Sequence, residues 1–370
     1  MINDQENLSI KFPIYKNDGK PLFIFKKSIK EAVDRINNKI NNGKYKHIPN
    51  PCLCGNQNPQ KDLLLAEKDM WGIAVDSLIC SQCGLVRSKN IPDPASLADF
   101  YETDYKNIYY DTTEPGPYLF NSQTSRGKQF FNLIKEQNLL AEIQTVFDYG
   151  CGMGGALMPF YENGMRVSGC DYGEEYLDYG RKQGLENIYH GEIDLTKTLK
   201  DSQDLVMVSH VMEHFTDTVK SMQDIIDIVT PGKYILVEVP GVFADAPYKY
   251  YPIWHLQKGH IFNFFYKDFL AVFFKKLGLE IISGTERCTF ILRKPLNYSR
   301  QVLERNFYDS SLKNYPEKVR DHFISSYIKF DKHKWKNPTR IAKTILKTAD
   351  ILSLRGVLSK IIKASKEWTV

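Results

Sequence analysis

The chain predicts an α/β protein: a doubly wound, mainly parallel sheet, preceded by a small cysteine-bearing module and followed by a helical, basic tail. Three observations carry this expectation. Short apolar runs suited to strands, at 145–149, 166–171, 187–192, 204–209 and 234–239, alternate with helical patterns at 156–162, 174–182 and 218–229. Alternation at this spacing builds a parallel sheet with helices on its faces. The first run ends on an acid and turns through glycines, Val146-Phe147-Asp148-Tyr149-Gly150-Cys151-Gly152-Met153-Gly154. Two close cysteine pairs, Cys52/Cys54 and Cys80/Cys83, lie upstream.

Taken in order, residues 1–45 are an N-terminal extension with extended stretches at 10–15 and 22–25. A helix over 28–40 follows, with Ser28 as cap and Glu31 three residues on, and Asn41-Asn42-Gly43 ends it. The cysteine module spans 46–110. A linker region, 111–144, holds a helix over 122–137 after the Pro115-Gly116-Pro117 break. The α/β domain fills 145–295. Near its end a helix over 267–277 stops at Gly278, and the runs 280–284 and 289–293 lie close enough to pair as an antiparallel hairpin at the sheet edge. Residues 296–370 turn polar, helical and basic.

Of the 370 residues 42% are hydrophobic, ordinary for a globular chain, and no apolar run reaches the roughly 18–20 residues that span a bilayer. The first residues lack the basic and apolar regions of a secretory leader, so the expected location is cytoplasmic. The net charge of +5 is unevenly spread. From Asp331 onward ten Lys/Arg face three acids, which leaves the rest of the chain two charges negative. A near-neutral body argues against a nucleic-acid partner. Seven cysteines are an odd number, and paired spacing in a reducing compartment suggests metal. Cys151, Cys170 and Cys288 are expected to be packing residues in strands or the glycine loop.

The glycine loop brings backbone amides close to a nucleotide-like ligand. Gly150, Gly152 and Gly155 also fit a dinucleotide pattern, so spacing alone does not decide. Asp148 does: a carboxylate suits an ammonium better than a pyrophosphate, which points to S-adenosylmethionine (SAM). Asp171, ending the next strand, is placed for ribose hydroxyls.

The stretch from Val146 to Arg293 resembles class I SAM-dependent methyltransferases. The likeness rests on Val146–Gly154, Gly169-Cys170-Asp171, the run from Asp204 through Ser209-His210-Val211-Met212-Glu213-His214, and Pro231–Pro240. It implies a Rossmann-like, seven-stranded sheet whose last strand is antiparallel. It implies that Asp148, Gly150, Cys151, Gly152 and Gly154 line the methionine end of SAM, with Asp171 on the ribose and Tyr172 against the adenine. Glu192 and Ile193 fall at the adenine edge, and Ser209 and His210 border the methionine moiety. Histidine suits removal of a proton from the acceptor. His260, in the aromatic loop after the fifth strand, is the expected general base, with His255 and His210 as alternatives.

Cys52-Leu53-Cys54-Gly55 and Cys80-Ser81-Gln82-Cys83-Gly84 read as two knuckles of a structural, four-coordinate zinc site, with His47 as a substitute ligand for the tighter first pair. Together with Asp99-Phe100-Tyr101-Glu102-Thr103-Asp104-Tyr105 they resemble the N-terminal module of bacterial sugar methyltransferases. The carbon-methylating members carry Tyr-x-Glu-His in the acceptor loop, where this chain reads Gln257-Lys258-Gly259-His260, and only the histidine carries over. The expected acceptor is therefore a hydroxyl or amine of a sugar, either nucleotide-linked or in a surface glycan, or a related small metabolite. Two alternatives stand beside it: an RNA- or protein-modifying methyltransferase, and a SAM-binding scaffold without turnover. In the tail, Ile341, Ile345, Leu346, Leu352, Leu358 and Ile361 recur at helical spacing among basic residues. Such a helix either lies peripherally on anionic lipid at the inner membrane face or packs on the domain with a solvated basic face.

Overall fold

The computed structural model describes residues 15–21, 25–110, 115–191, 198–244, 262–300 and 302–332. Most of the extended stretches expected at 10–15 and 22–25, and the tail from 333 on, lie outside these residues. Helix α1 (Lys27–Asn41) begins one residue before Ser28, so the expected capping box does not form. Lys26 takes the cap position with no side-chain cap bond, and Glu31 pairs with Lys27 one turn back at 3.7 Å. That exposed pair is worth only a few tenths of a kcal/mol, so burial of Ile29, Ala32 and Ile36 is what holds the helix.

The cysteine module is richer in strands than its sequence suggested. Strands β1 (His47–Pro49), β2 (Leu63–Lys68), β3 (Ala74–Ile79), β4 (Val86–Ser88) and β5 (Asn90–Pro92) precede helices α2 (Pro94–Thr103) and α3 (Tyr105–Tyr110). The β2–β3 turn is set by Asp69, whose Oδ1 accepts from the amides of Trp71 and Ile73 at 2.9 Å each. Asp93 caps α2 by accepting from the Ser96 amide at 2.8 Å, with Pro94 in the first turn where its missing N–H costs nothing.

The α/β part follows as helix α4 (Pro117–Glu136), β6 (Thr145–Tyr149), α5 (Met158–Tyr161), β7 (Arg166–Asp171), α6 (Glu174–Lys182), β8 (Ile188–His190), β9 (Gln203–Ser209), α7 (Thr218–Ile228) and β10 (Val229–Glu238). Helix α4 starts five residues earlier than expected, because Pro117 initiates it instead of breaking it. The helix expected over 156–162 is a 3-10 turn, Gly155–Leu157, and the single turn of α5. After β10 come β11 (Phe262–Phe264), α8 (Lys267–Lys276), the hairpin β12 (Glu280–Gly284) and β13 (Thr289–Arg293), and α9 (Tyr315–Lys332).

The main sheet has seven strands in the order β12-β13-β10-β9-β6-β7-β8. Strands β6 to β10 are mutually parallel, and β13 runs antiparallel to both β10 and β12. Side chains alternate between two cores, as period-2 geometry requires of a sheet covered on both faces. Leu205, Met207, Tyr234 and Leu236 enter one core, while Val206, Val208, Ile235 and Val237 enter the other. Each such fully buried apolar side chain contributes about 1.5–3 kcal/mol relative to exposure.

The second core does not stop at the sheet. It runs without interruption into Cys52, Cys54, Cys80, Cys83, Phe262, Phe264, Phe307 and Phe323. Strand β11 explains this continuity, since it pairs with β4 and completes the four-stranded sheet β11-β4-β3-β2 of the cysteine module. Cys288 corrects one expectation. It lies in the β12–β13 connection at φ +58°, fully buried, and not inside a strand. Among the described residues no helix is long and apolar enough to cross a membrane.

Candidate active site

Strand β6 lies between β7 and β9, so its carboxyl end is the point where chain connections leave in opposite directions and a crevice opens. The glycine loop fills that point. The amides of Gly150 and Cys151 both donate to the Cys170 carbonyl at 2.9 Å, which turns the loop back over β7. Gly152 sits at φ +57°, and a Cβ there would run into the Gln123 amide of α4. Gln123 in turn accepts from the Gly155 amide at 3.1 Å. Helix α4 comes this close because residue 127 is glycine, whose Cβ would collide with the Ala156 carbonyl. Gly127→Val is expected to cost at least about 1–3 kcal/mol, read as a lower denaturant midpoint.

Charge gathers around the loop. Asp148 is only 4% exposed, and no hydrogen bond to its carboxylate is made among the described residues. Burial, reinforced by Asp171 and opposed by Arg126, pushes its pKa up to about 8. Arg126 projects from α4, with Nη1 3.4 Å from Ser209 Oγ and 3.8 Å from Glu238 Oε2. Ser209 Oγ donates to Glu238 at 3.2 Å. Asp171 accepts from the amides of Gly152 and Gly173, each at 2.9 Å, and so ties the glycine loop to the start of α6. Each carboxylate oxygen keeps a further lone pair for a ligand hydroxyl.

Other expected site residues fall as follows. Tyr172 is 61% exposed beside the loop, edge-on to His190. Cys151 is buried, and burial first, then the charges of Asp171 and Asp148, drive its thiol far up, so it packs and does not react. Gly154, at φ +74°, backs onto Leu185. His210 follows directly on β9 with φ +55°, its Nδ1 3.2 Å from Glu213 Oε1. Glu192, Ile193, His255 and His260 lie outside the described residues.

The four cysteines converge, their sulfurs all within 4.8 Å of one another. Cys52–Cys83 and Cys54–Cys80 are each 3.6 Å apart, far beyond a disulfide's roughly 2.05 Å. A tetrahedron with a metal–sulfur bond of about 2.3 Å has edges of about 3.8 Å, which this set matches. His47, on β1, is not part of the cluster. The C-terminal segment closes over both knuckles: a Cβ at Gly55 would strike the Arg305 carbonyl, and one at Gly84 the Tyr315 backbone. Tyr266 donates to the Cys83 carbonyl. Burial drives Cys52 and Cys83 up, while hydrogen bonds from Cys52, Cys54 and Cys83 draw Cys80 down. Four such sulfurs cannot all ionise without a cation among them.

Sequence reasoning missed Gln123, Arg126, Glu238 and Tyr101. A signal for the first two existed. Gln123, Arg126 and Gly127 fall three and four positions apart, on one helix face just ahead of the glycine loop.

A seven-stranded sheet of this order, with an acid-led glycine loop at its switch point, fits a Rossmann-like class I fold. Residues 120–284 match the family model described as a methyltransferase domain. No curated protein matches the chain in sequence. Among solved structures, a SAM-dependent methyltransferase from Aquifex aeolicus is 15% identical, over 46% of this chain and 96% of its own, with a TM-score of 0.34. An O-methyltransferase family protein from Burkholderia thailandensis is 13% identical over 49% of this chain and 59% of its own, TM-score 0.37. A Galdieria sulphuraria protein named as a sarcosine dimethylglycine methyltransferase is 17% identical over 31% of this chain, TM-score 0.28, and the chain spans only 45% of it.

Proposed function

We propose that this chain moves the methyl group of SAM to a hydroxyl or amine of a sugar, nucleotide-linked or in a surface glycan. The observation that carries the donor assignment is the buried carboxylate of Asp148 at the glycine loop, with the positive charge of Arg126 near enough to oppose the rise in its pKa. The amino-acid end of SAM is a zwitterion, so a carboxylate for its ammonium beside a guanidinium for its carboxylate recognises both charges. Asp171 would take the ribose hydroxyls and Tyr172 the adenine face, while Gly150, Gly152 and Gly154 hold the positive φ that the tight loop requires. SAM supplies an electrophilic methyl on a sulfonium. The protein's task is alignment and acceptance of one proton from the acceptor. His210 stands at the site, and His255 and His260 remain proposed contributors.

We assign structural zinc to Cys52, Cys54, Cys80 and Cys83, because four thiolates at tetrahedral spacing leave no open position for chemistry. The sugar acceptor rests on the sequence likeness of this module to that of sugar methyltransferases. Radiolabelled SAM incubated with pooled nucleotide sugars, glycans and RNA tests the reading: label is expected in the sugar fraction. Label in RNA, or in no fraction, would overturn it. For the basic tail, deletion of residues 331–370 with liposome binding unchanged would reject lipid contact.

A further inference from the structure

His210 occupies a backbone region that costs energy for any side chain, and it does so at the switch point of the sheet. Its amide donates to the Glu238 carbonyl at 2.8 Å, which holds the strained residue in place. Nδ1 faces Glu213 Oε1 at 3.2 Å. Glu213 is 1% exposed, on the turn Met212–His214, and its other oxygen is buried with no hydrogen-bond partner among the described residues. A buried carboxylate half satisfied in this way is costly, and the His210 imidazole, with the His214 charge and Glu213's own amide, offsets that cost. Burial pushes the Glu213 pKa up, but the His210 hydrogen bond and the charges of His210 and His214 bring it below the ordinary carboxylate value.

An ionised carboxylate only accepts hydrogen bonds, so Nδ1 of His210 must carry the hydrogen. In the neutral ring Nε2 then holds a lone pair. The neighbouring histidine meets a phenol instead of a carboxylate. Tyr101, from α2 of the cysteine module, places its hydroxyl 2.5 Å from His214 Nδ1. Burial and the Glu213 charge keep that phenol protonated. With that hydroxyl donating and His214 Nδ1 accepting, the neutral His214 ring carries its hydrogen on Nε2, the arrangement the proposal below assigns.

We propose that Glu213 is a positioning residue that fixes His210 in the Nδ1–H form, leaving Nε2 as proton acceptor at the methyl-transfer site, while Tyr101 holds His214 in the opposite form. This deepens the methyltransferase reading and rests on it. Nε2 takes the proton that the acceptor's O–H or N–H gives up as that atom bonds to the methyl carbon. The carbon–sulfur pair stays on sulfur, and Glu213 offsets the imidazolium charge.

Nitrogen NMR of the full chain labelled in its histidine rings tests this, with the His210 signals assigned through loss in His210→Asn. Wild type is expected to show His210 as Nδ1–H and His214 as Nε2–H. Glu213→Met should abolish the His210 preference, whereas Glu213→Gln, which keeps an accepting carbonyl, should retain it. Tyr101→Phe should release His214 alone. With the pooled sugar acceptors, label transfer should fall at least tenfold in His210→Asn and Glu213→Met, with S-adenosylhomocysteine affinity within threefold of wild type. An Nε2–H form of His210 in wild type, or label transfer untouched in His210→Asn, overturns the proposal. Loss of S-adenosylhomocysteine binding by the wild type would instead sink the methyltransferase reading. Should Glu213→Met fail to fold, the wild-type tautomers and Tyr101→Phe still decide.

Discussion

Asp148→Asn is expected to make the ligand-free protein more stable and to abolish most of its affinity for SAM. Both effects follow from one buried carboxylate. Its folded pKa of about 8 lies above the ordinary 3.8, so the folded state holds its proton more tightly than the unfolded chain does. The associated stability is complete below about pH 4, is lost as pH rises toward 8, and changes no further above that. By neutral pH the loss is roughly 4 kcal/mol, set by about 1.4 kcal/mol per pH unit. Asparagine mimics the protonated acid, so the variant escapes that loss, and its melting temperature near pH 7.5 should rise by several degrees. Binding runs the other way. The ligand's ammonium needs the ionised carboxylate, so wild-type affinity for S-adenosylhomocysteine should climb from pH 6 to pH 8 with release of a proton. The variant should lose on the order of 100-fold in affinity, the scale for removing one partner of a buried charge pair, together with that climb. Calorimetry in buffers of differing ionisation enthalpy reads both. An unchanged affinity in Asp148→Asn would remove the carboxylate from donor recognition.

Removal of zinc is expected to loosen more than the cysteine module. Structural zinc contributes apparent folding free energies of about 10–16 kcal/mol in small modules, so its loss should open residues 47–92. The disturbance should then reach the loop after β9 by two routes and the start of α8 by a third. Tyr101 meets His214 at 2.5 Å, Arg305 donates to both the Pro51 carbonyl at 2.9 Å and the Thr216 carbonyl at 3.1 Å, and Tyr266 donates to the Cys83 carbonyl. Hydrogen exchange after chelation, or in Cys80→Ser, should rise in peptides covering 47–92, 210–216 and 262–266. Exchange across 145–191 should change little. Elemental analysis should find one zinc per chain beforehand. A chain that carries no zinc, or a rise confined to 47–92, would contradict this picture.

The expected strands at 145–149, 166–171, 280–284 and 289–293 and the helix at 174–182 have the observed bounds. Their alternating or helical pattern is written within a few residues. Strands β2 and β3 escaped because Leu63–Lys68 and Ala74–Ile79 mix polar and apolar residues, and their burial is supplied by partners outside the segment. The Ser28 cap failed because capping signals compete over one or two positions, and packing of Ile29, Ala32 and Ile36 set the helix start. Tyr101 was invisible as a site residue for a related reason: a tyrosine on a helix is ordinary until the helix has been docked.

Sequence alone determined the alternating sheet, the glycine turn, the acids Asp148 and Asp171 beside it, and the two cysteine knuckles. Those features depend on side-chain period, positive φ and ligand spacing, all of which act over a handful of residues. The tertiary structure alone decided that α4 supplies Gln123 and Arg126, that β11 joins the cysteine sheet, and that Tyr101 reaches His214 across 113 positions. Those contacts arise from docking of distant elements onto shared cores, and no local pattern encodes which partner a buried face will meet.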